Sequence, residues 1–290
     1  MTEQAISYLE NELLNMEFPC EDLDHQGILD EIVEILCNED AQGNEGLEGS
    51  DGSITLSDAE AAVGAYDYIR QANNLSSKCP IYACIWNEMI NGGLGTELIC
   101  NLSNTFEGSN SAGNLTIYAT DFSSQGMSST ATGATFLHEE NNEIGIAINS
   151  GNCNDEGENL VAAFETLQHE FVHAQLNHTL LSLGYEGDYD TMADAFFELV
   201  GHQYGENPTE LQHEFMLDYF LVPMVNSLIE MNGGVGTYSY FVGLVLSGFP
   251  GEVLEAAGYN VDDFLDFAEI ARDFIENNSN INQTLIDCGN

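Results

Sequence analysis

The stretch from residue 160 to 181 constrains the fold more than any other. Leu160, Phe164, Leu167 and Phe171 recur there at helical spacing, so one long helix must pack an apolar face against other elements. Within it stands His169-Glu170-Phe171-Val172-His173. Positions i and i+4 lie on one helix face, a turn apart, so the two imidazoles point the same way. The run from Asp155 to Glu158 resembles a capping box and predicts where this helix opens.

The elements around it change character along the chain. Residues 2–16 and 27–37 carry apolar side chains at helical spacing and predict two amphipathic helices. Residues 38–53 are rich in Gly and acid and read as a linker, which makes 1–53 an N-terminal helical arm and 54–290 the main domain. Ser57 to Glu60 is a capping box for a helix reaching about Asn73, and residues 80–92 predict another helix. The runs 115–120, 134–138 and 144–149 are β-rich, separated by Ser/Gly/Asn turns. In the last, Ile144, Ile146 and Ile148 share one face, with Gly145 and Ala147 on the other. That alternation predicts an edge strand with something packed close above it. Helices are predicted near 191–204, 208–231, 236–247, 251–258 and 262–277. The class is therefore α+β: a small mixed β-sheet with an edge strand on the His169–His173 helix, then a mostly helical C-terminal half.

Charge narrows the partners. Lys and Arg number 3 against 49 Asp and Glu, a formal net charge of −46. Phosphate neutralisation needs clustered cations, which excludes nucleic acid and disfavours anionic membranes. With 43% hydrophobic residues the chain still has enough apolar material for a core and is no disordered acidic tail. The first residues have neither a positive segment nor an apolar one, so no signal peptide is visible there. Arg70, Lys78 and Arg272 are the only sites open to a trypsin-like protease, which points to a protease-rich, extracellular setting. The seven Cys show no zinc-ribbon or redox CxxC pair, leaving buried thiols or one or two disulfides.

The His-Glu-x-x-His spacing carries the chemistry. Two imidazoles on one helix face can hold Zn²⁺ at about 2.0–2.1 Å each. Glu170, beside the first, is then placed as general base toward a water whose pKa the metal lowers to roughly 7. The plain alternative is a polar helix face carrying no metal. Zinc needs a third protein ligand and an open fourth position. His178, five residues past His173 with no intervening Gly, fits poorly. Asp190 and Asp194 keep a spacing known for ligands from a second helix, with Asp in place of Glu. In Gln212-His213-Glu214, His213 is the first choice and Glu214 the second. If Glu214 binds, Asp218 lies four residues on, placed to support a ligand His.

These motifs resemble the HExxHA helix of zincin-type metallopeptidases. The wider pattern is similar to a bacterial group in which a hydrophobic β-run precedes that helix and a QHxxMA helix follows it. Here the pieces are the β-run 144–149, His169 to Ala174, and Gln212, His213 and Met216; Leu217 stands where the group has Ala. The resemblance spans roughly residues 78–230 and implies a zincin-like domain with His169, His173 and His213 as metal ligands and Glu170 as catalytic base. It brings no substrate. The expected activity is zinc-dependent hydrolysis of a peptide or protein substrate, favouring cationic peptides because the chain is acidic. The alternative is an inactive zincin-like interaction module or effector domain with a structural metal.

Overall fold

The computed structural model describes residues 69–91, 93–106, 114–138, 143–153, 160–183, 185, 192–195, 208–234, 236–260, 270 and 288. The N-terminal arm, the acidic linker, both capping boxes and most of the 262–277 helix lie outside these residues.

Among the described residues one mixed sheet holds four strands: β1 (Ile69–Gln71), β2 (Leu115–Thr120), β3 (Gly133–His138) and β4 (Glu143–Asn149). Their spatial order is β1-β2-β4-β3. β1 runs parallel to β2 and β2 parallel to β4, whereas β3 runs antiparallel to β4. Two expectations are corrected here. Ile69–Gln71 is a strand, not the end of a helix running to Asn73, because its pairing with Leu115–Ile117 overrides the local signal. The segment 144–149 is no edge strand either; it is hydrogen-bonded on both sides, and β1 and β3 are the edges of the described sheet. Its alternation has another cause. Ile144, Ile146 and Ile148 share a face with Leu115, Ile117 and Ala119 of β2, and all six are buried. On the opposite face Gly145 lies across from Phe136 and Ala147 across from Tyr118, so small residues sit where large neighbours need room.

The helices close over this sheet. α1 (Asn73–Lys78) and α2 (Pro80–Asn91) are separated by Cys79, whose backbone leaves the helical region (φ −133°, ψ 65°). The following Pro80 disfavours α geometry in the residue before it and suits a first helical position itself. α3 (Glu97–Asn104) has no counterpart in the sequence expectations. It is only eight residues long and is started by Thr96, whose Oγ1 accepts from the Ile99 amide. The same oxygen shares a 2.7 Å hydrogen bond with Ser227 Oγ.

α4 (Leu160–Ser182) is the central helix. Phe164, Leu167, Phe171 and Val172 are wholly buried, and the Phe171 ring packs 5.1 Å from Trp86 of α2 and 6.0 Å from Phe106. The predicted 208–231 helix is two helices, α5 (Pro208–Tyr219) and α6 (Leu221–Met231). Pro223 explains the break: it cannot donate to the Tyr219 carbonyl, and its ring crowds that group. α7 (Tyr238–Leu246) and α8 (Gly251–Ala256) follow, and a short 3-10 helix spans Phe122–Gln125 between β2 and β3. Disulfides join Cys79 to Cys153 and Cys84 to Cys288. The first ties the α1–α2 junction to the end of β4, close to where α4 begins. No described helix is long and apolar enough to cross a membrane.

Candidate metal centre

Four of the buried polar side chains on α4 fall on a stripe: Glu165, His169, His173 and Asn177, each four residues from the last. Helical geometry stacks them on one face. That face meets α5 and the connection between α7 and α8. His213, in the second turn of α5, is brought from 40 residues away to meet the stripe.

The Nε2 atoms of His169, His173 and His213 form a nearly equilateral triangle, with separations of 3.1, 3.2 and 3.3 Å. Ligands at 2.0–2.1 Å in a tetrahedron stand about 3.3 Å apart, so three corners of a zinc site match this triangle. Mutual hydrogen bonding does not account for it equally well. Gln212 Nε2 donates to Asn177 Oδ1 at 2.9 Å, which leaves Gln212 Oε1 to accept from His173 Nδ1 at 2.7 Å. With its proton on Nδ1, His173 presents a bare lone pair at Nε2, the form a metal needs. All three imidazoles are buried. Burial pushes the His169 pKa down to about 3, with the charge of His213 adding to it. His173 is also held well below its ordinary value by burial, then by His213 and His169, against an opposing hydrogen bond to Gln212. Both are therefore neutral near pH 7 and free to donate electron pairs. Phe249 packs its ring edge-on to His169 at 5.2 Å and to His213 at 5.5 Å.

Glu170 projects from the same helix toward the edge strand. Thr135 Oγ1 of β3 lies 2.7 Å from Glu170 Oε2 and donates to it. Burial raises the Glu170 pKa to about 7, and the Thr135 hydrogen bond opposes the rise. Gly133, two residues earlier on β3, is required here. A side chain at that position would start 2.7 Å from Glu170 Cγ and 3.0 Å from its Oε1. Imidazoles and carboxylate open into a cavity of about 1280 Å³, whose walls include the β3 edge, Tyr82, Tyr185, Phe249 and Glu252.

Those of the other sequence candidates that lie among the described residues sit outside the cluster. Asp190 lies outside the described residues, and Asp194 is exposed. Glu214 is half-buried on α5 and is not part of the cluster. Asp218 is exposed in the last turn of α5; it is Gln212 that hydrogen-bonds His173. His178 packs edge-on against Phe106 at 5.1 Å, near the end of α4. Thr135 and Gly133 carry no local sequence signal that marks them for the site. Asn177 alone had a local signal, its place four residues after His173.

Compared with protein-family models, curated proteins and solved structures, the chain has no significant match.

Proposed function

We propose that this protein is a zinc-dependent peptidase with a zincin-like active site. The observation that carries the reading is the joint geometry of the imidazole triangle and a buried carboxylate beside it, both facing an open cavity. His169, His173 and His213 would hold the ion. When bound there, zinc supplies Lewis acidity and a water acidic enough to deprotonate near neutral pH.

The chain's own groups do the rest. Thr135 occupies Glu170 Oε2, which leaves Oε1 to take the proton from the attacking water and return it to the leaving amine. Burial places the carboxylate's pKa near the working pH, where it can both accept and release that proton. Gln212 and Phe249 keep the imidazoles from turning. β3, an edge strand among the described residues, borders the cavity, so an extended peptide can add to it as a further strand, fixing its backbone by main-chain hydrogen bonds. The charged side chains among the described wall residues are Glu165, Glu170 and Glu252, which suits a cationic peptide over an anionic one.

A purely structural metal is the lesser reading. Structural zinc sites are closed by four protein ligands. Among the described residues only three metal-ligating side chains converge here, and they do so at a cavity.

The test combines zinc content with proteolysis of an unstructured substrate. Wild type is expected to bind one zinc and cleave. Glu170→Gln keeps the zinc and loses roughly 10²–10⁴-fold in kcat. His213→Ala loses zinc and activity together. A wild-type protein that takes up no zinc, or equal turnover in Glu170→Gln, ends this reading.

A further inference from the structure

We propose that Glu165 is a positioning residue for His169: its carboxylate accepts the Nδ1–H of that imidazole, directly or through one water, and so turns Nε2 toward the metal position. The inference rests on the metal-site reading above and adds a residue to it.

Buried polar groups in folded proteins nearly always have a partner. For His173 the partner is Gln212, itself held by Asn177 one turn further along α4. His169 Nδ1 is buried as well, yet among the described residues it has no hydrogen-bond partner. Its ring is braced by Phe249, so sterics hold the plane while the polar atom stays unsatisfied. If Nε2 is to offer a lone pair, Nδ1 must carry the ring's proton, and a buried N–H without an acceptor is costly.

The connection after α7 shows where the acceptor lies. A side chain at Gly248 would start 3.0 Å from Glu165 Oε1 and 3.5 Å from His169 Nδ1. Both atoms therefore border one small volume, and Gly248 keeps that volume clear. Ser247, next to it, donates its hydroxyl to the Leu244 carbonyl at 2.7 Å. Glu165 precedes His169 by four residues, the spacing at which helix side chains meet, and it is itself buried. A rotation of the carboxylate, or one water in the space beside Gly248, closes the contact. The stripe then has a simple logic. Its outer members, Glu165 and Asn177, serve its inner members, His169 and His173, the first from the turn before and the second through Gln212. A carboxylate behind a ligand imidazole fixes its tautomer and raises its basicity.

Two measurements test this. The first is zinc affinity by chelator competition for wild type, Glu165→Gln, Glu165→Ala and Gln212→Ala. Glu165→Ala is expected to lose roughly 10–100-fold in affinity, as is Gln212→Ala, with Glu165→Gln between them because it keeps an acceptor oxygen without the charge. The second is the ¹⁵N shift of the His169 ring in the metal-free protein. Wild type is expected in the Nδ1–H form, and Glu165→Gln and Glu165→Ala are expected to move toward the other tautomer. Packing loss alone would not move that ratio. If wild type binds zinc and Glu165→Ala binds it within about twofold, the metal site stands and the role of Glu165 falls. If wild type binds no zinc, the peptidase reading falls, and the tautomer still decides: an unchanged His169 ring in both variants overturns the inference. Should Glu165→Ala not fold, the nearly isosteric Glu165→Gln gives both readouts.

Discussion

At the residue scale, the site is a set of buried groups whose protonation opposes or favours folding. His169 has an ordinary pKa of 6.5 and a folded value of about 3. Between those values the unfolded chain binds a proton that the folded chain refuses, so stability is lost as pH falls below 6.5. His173 acts in the same direction. Glu170 acts in reverse. Its pKa rises from 4.5 to about 7, so its contribution is fully present below 4.5 and is lost as pH rises through 7. Metal-free wild type should therefore gain stability relative to metal-free Glu170→Gln as pH falls from 7 to 4.5. Paired urea melts at several pH values check this; a difference that stays flat, or grows with rising pH, contradicts the assignment.

At the element scale, the juxtaposition of β3 and α4 sets the geometry of Glu170. Gly133→Val would place a branched side chain where Glu170 Cγ lies 2.7 Å from any added Cβ. The carboxylate must swing away, so activity should fall by roughly 10²-fold or more while zinc content holds. Thr135→Val removes the donor to Glu170 Oε2 but keeps the shape. Since that hydrogen bond lowers the Glu170 pKa, its loss raises it, and the acid limb of the kcat/KM profile should move to higher pH. An unshifted limb would mean that Thr135 does not hold the base. These contacts were not legible in the sequence. Short β-rich runs reveal that strands exist but not which of them lies beside which, and the alternation in β4 records two covered faces, not an open edge.

At the scale of the whole molecule, two features stand out. The Cys79–Cys153 disulfide closes a loop with a sequence separation of 74, and losing it should cost roughly 4 kcal/mol through the freer unfolded chain. A Cys79→Ser/Cys153→Ser variant should melt well below wild type; equal melting temperatures would put the cross-link's contribution near zero. The second feature is the charge of −46. With three basic residues in the chain, trypsin has three bonds to cut. Of these, the bond after Lys78 leads directly into the buried, disulfide-bonded Cys79. Trypsin should leave the native protein largely intact on a gel, and extensive fragmentation would contradict that.

What the sequence determined by itself is local. Periodicity placed α4, the HExxH spacing put two imidazoles and a carboxylate on it, and a Gln-His pair marked a second helix downstream. Helical geometry makes such statements safe, because 3.6 residues per turn fix neighbours along a helix without reference to the rest of the chain. Tertiary structure alone decided the rest. It brought His213 within 3.3 Å of His169, made β3 an edge strand of the described sheet, set Thr135 on Glu170, and placed Gln212, not Asp218, against His173. Each of these depends on which segments pack together across dozens of residues, and burial patterns record that a face is covered without recording what covers it.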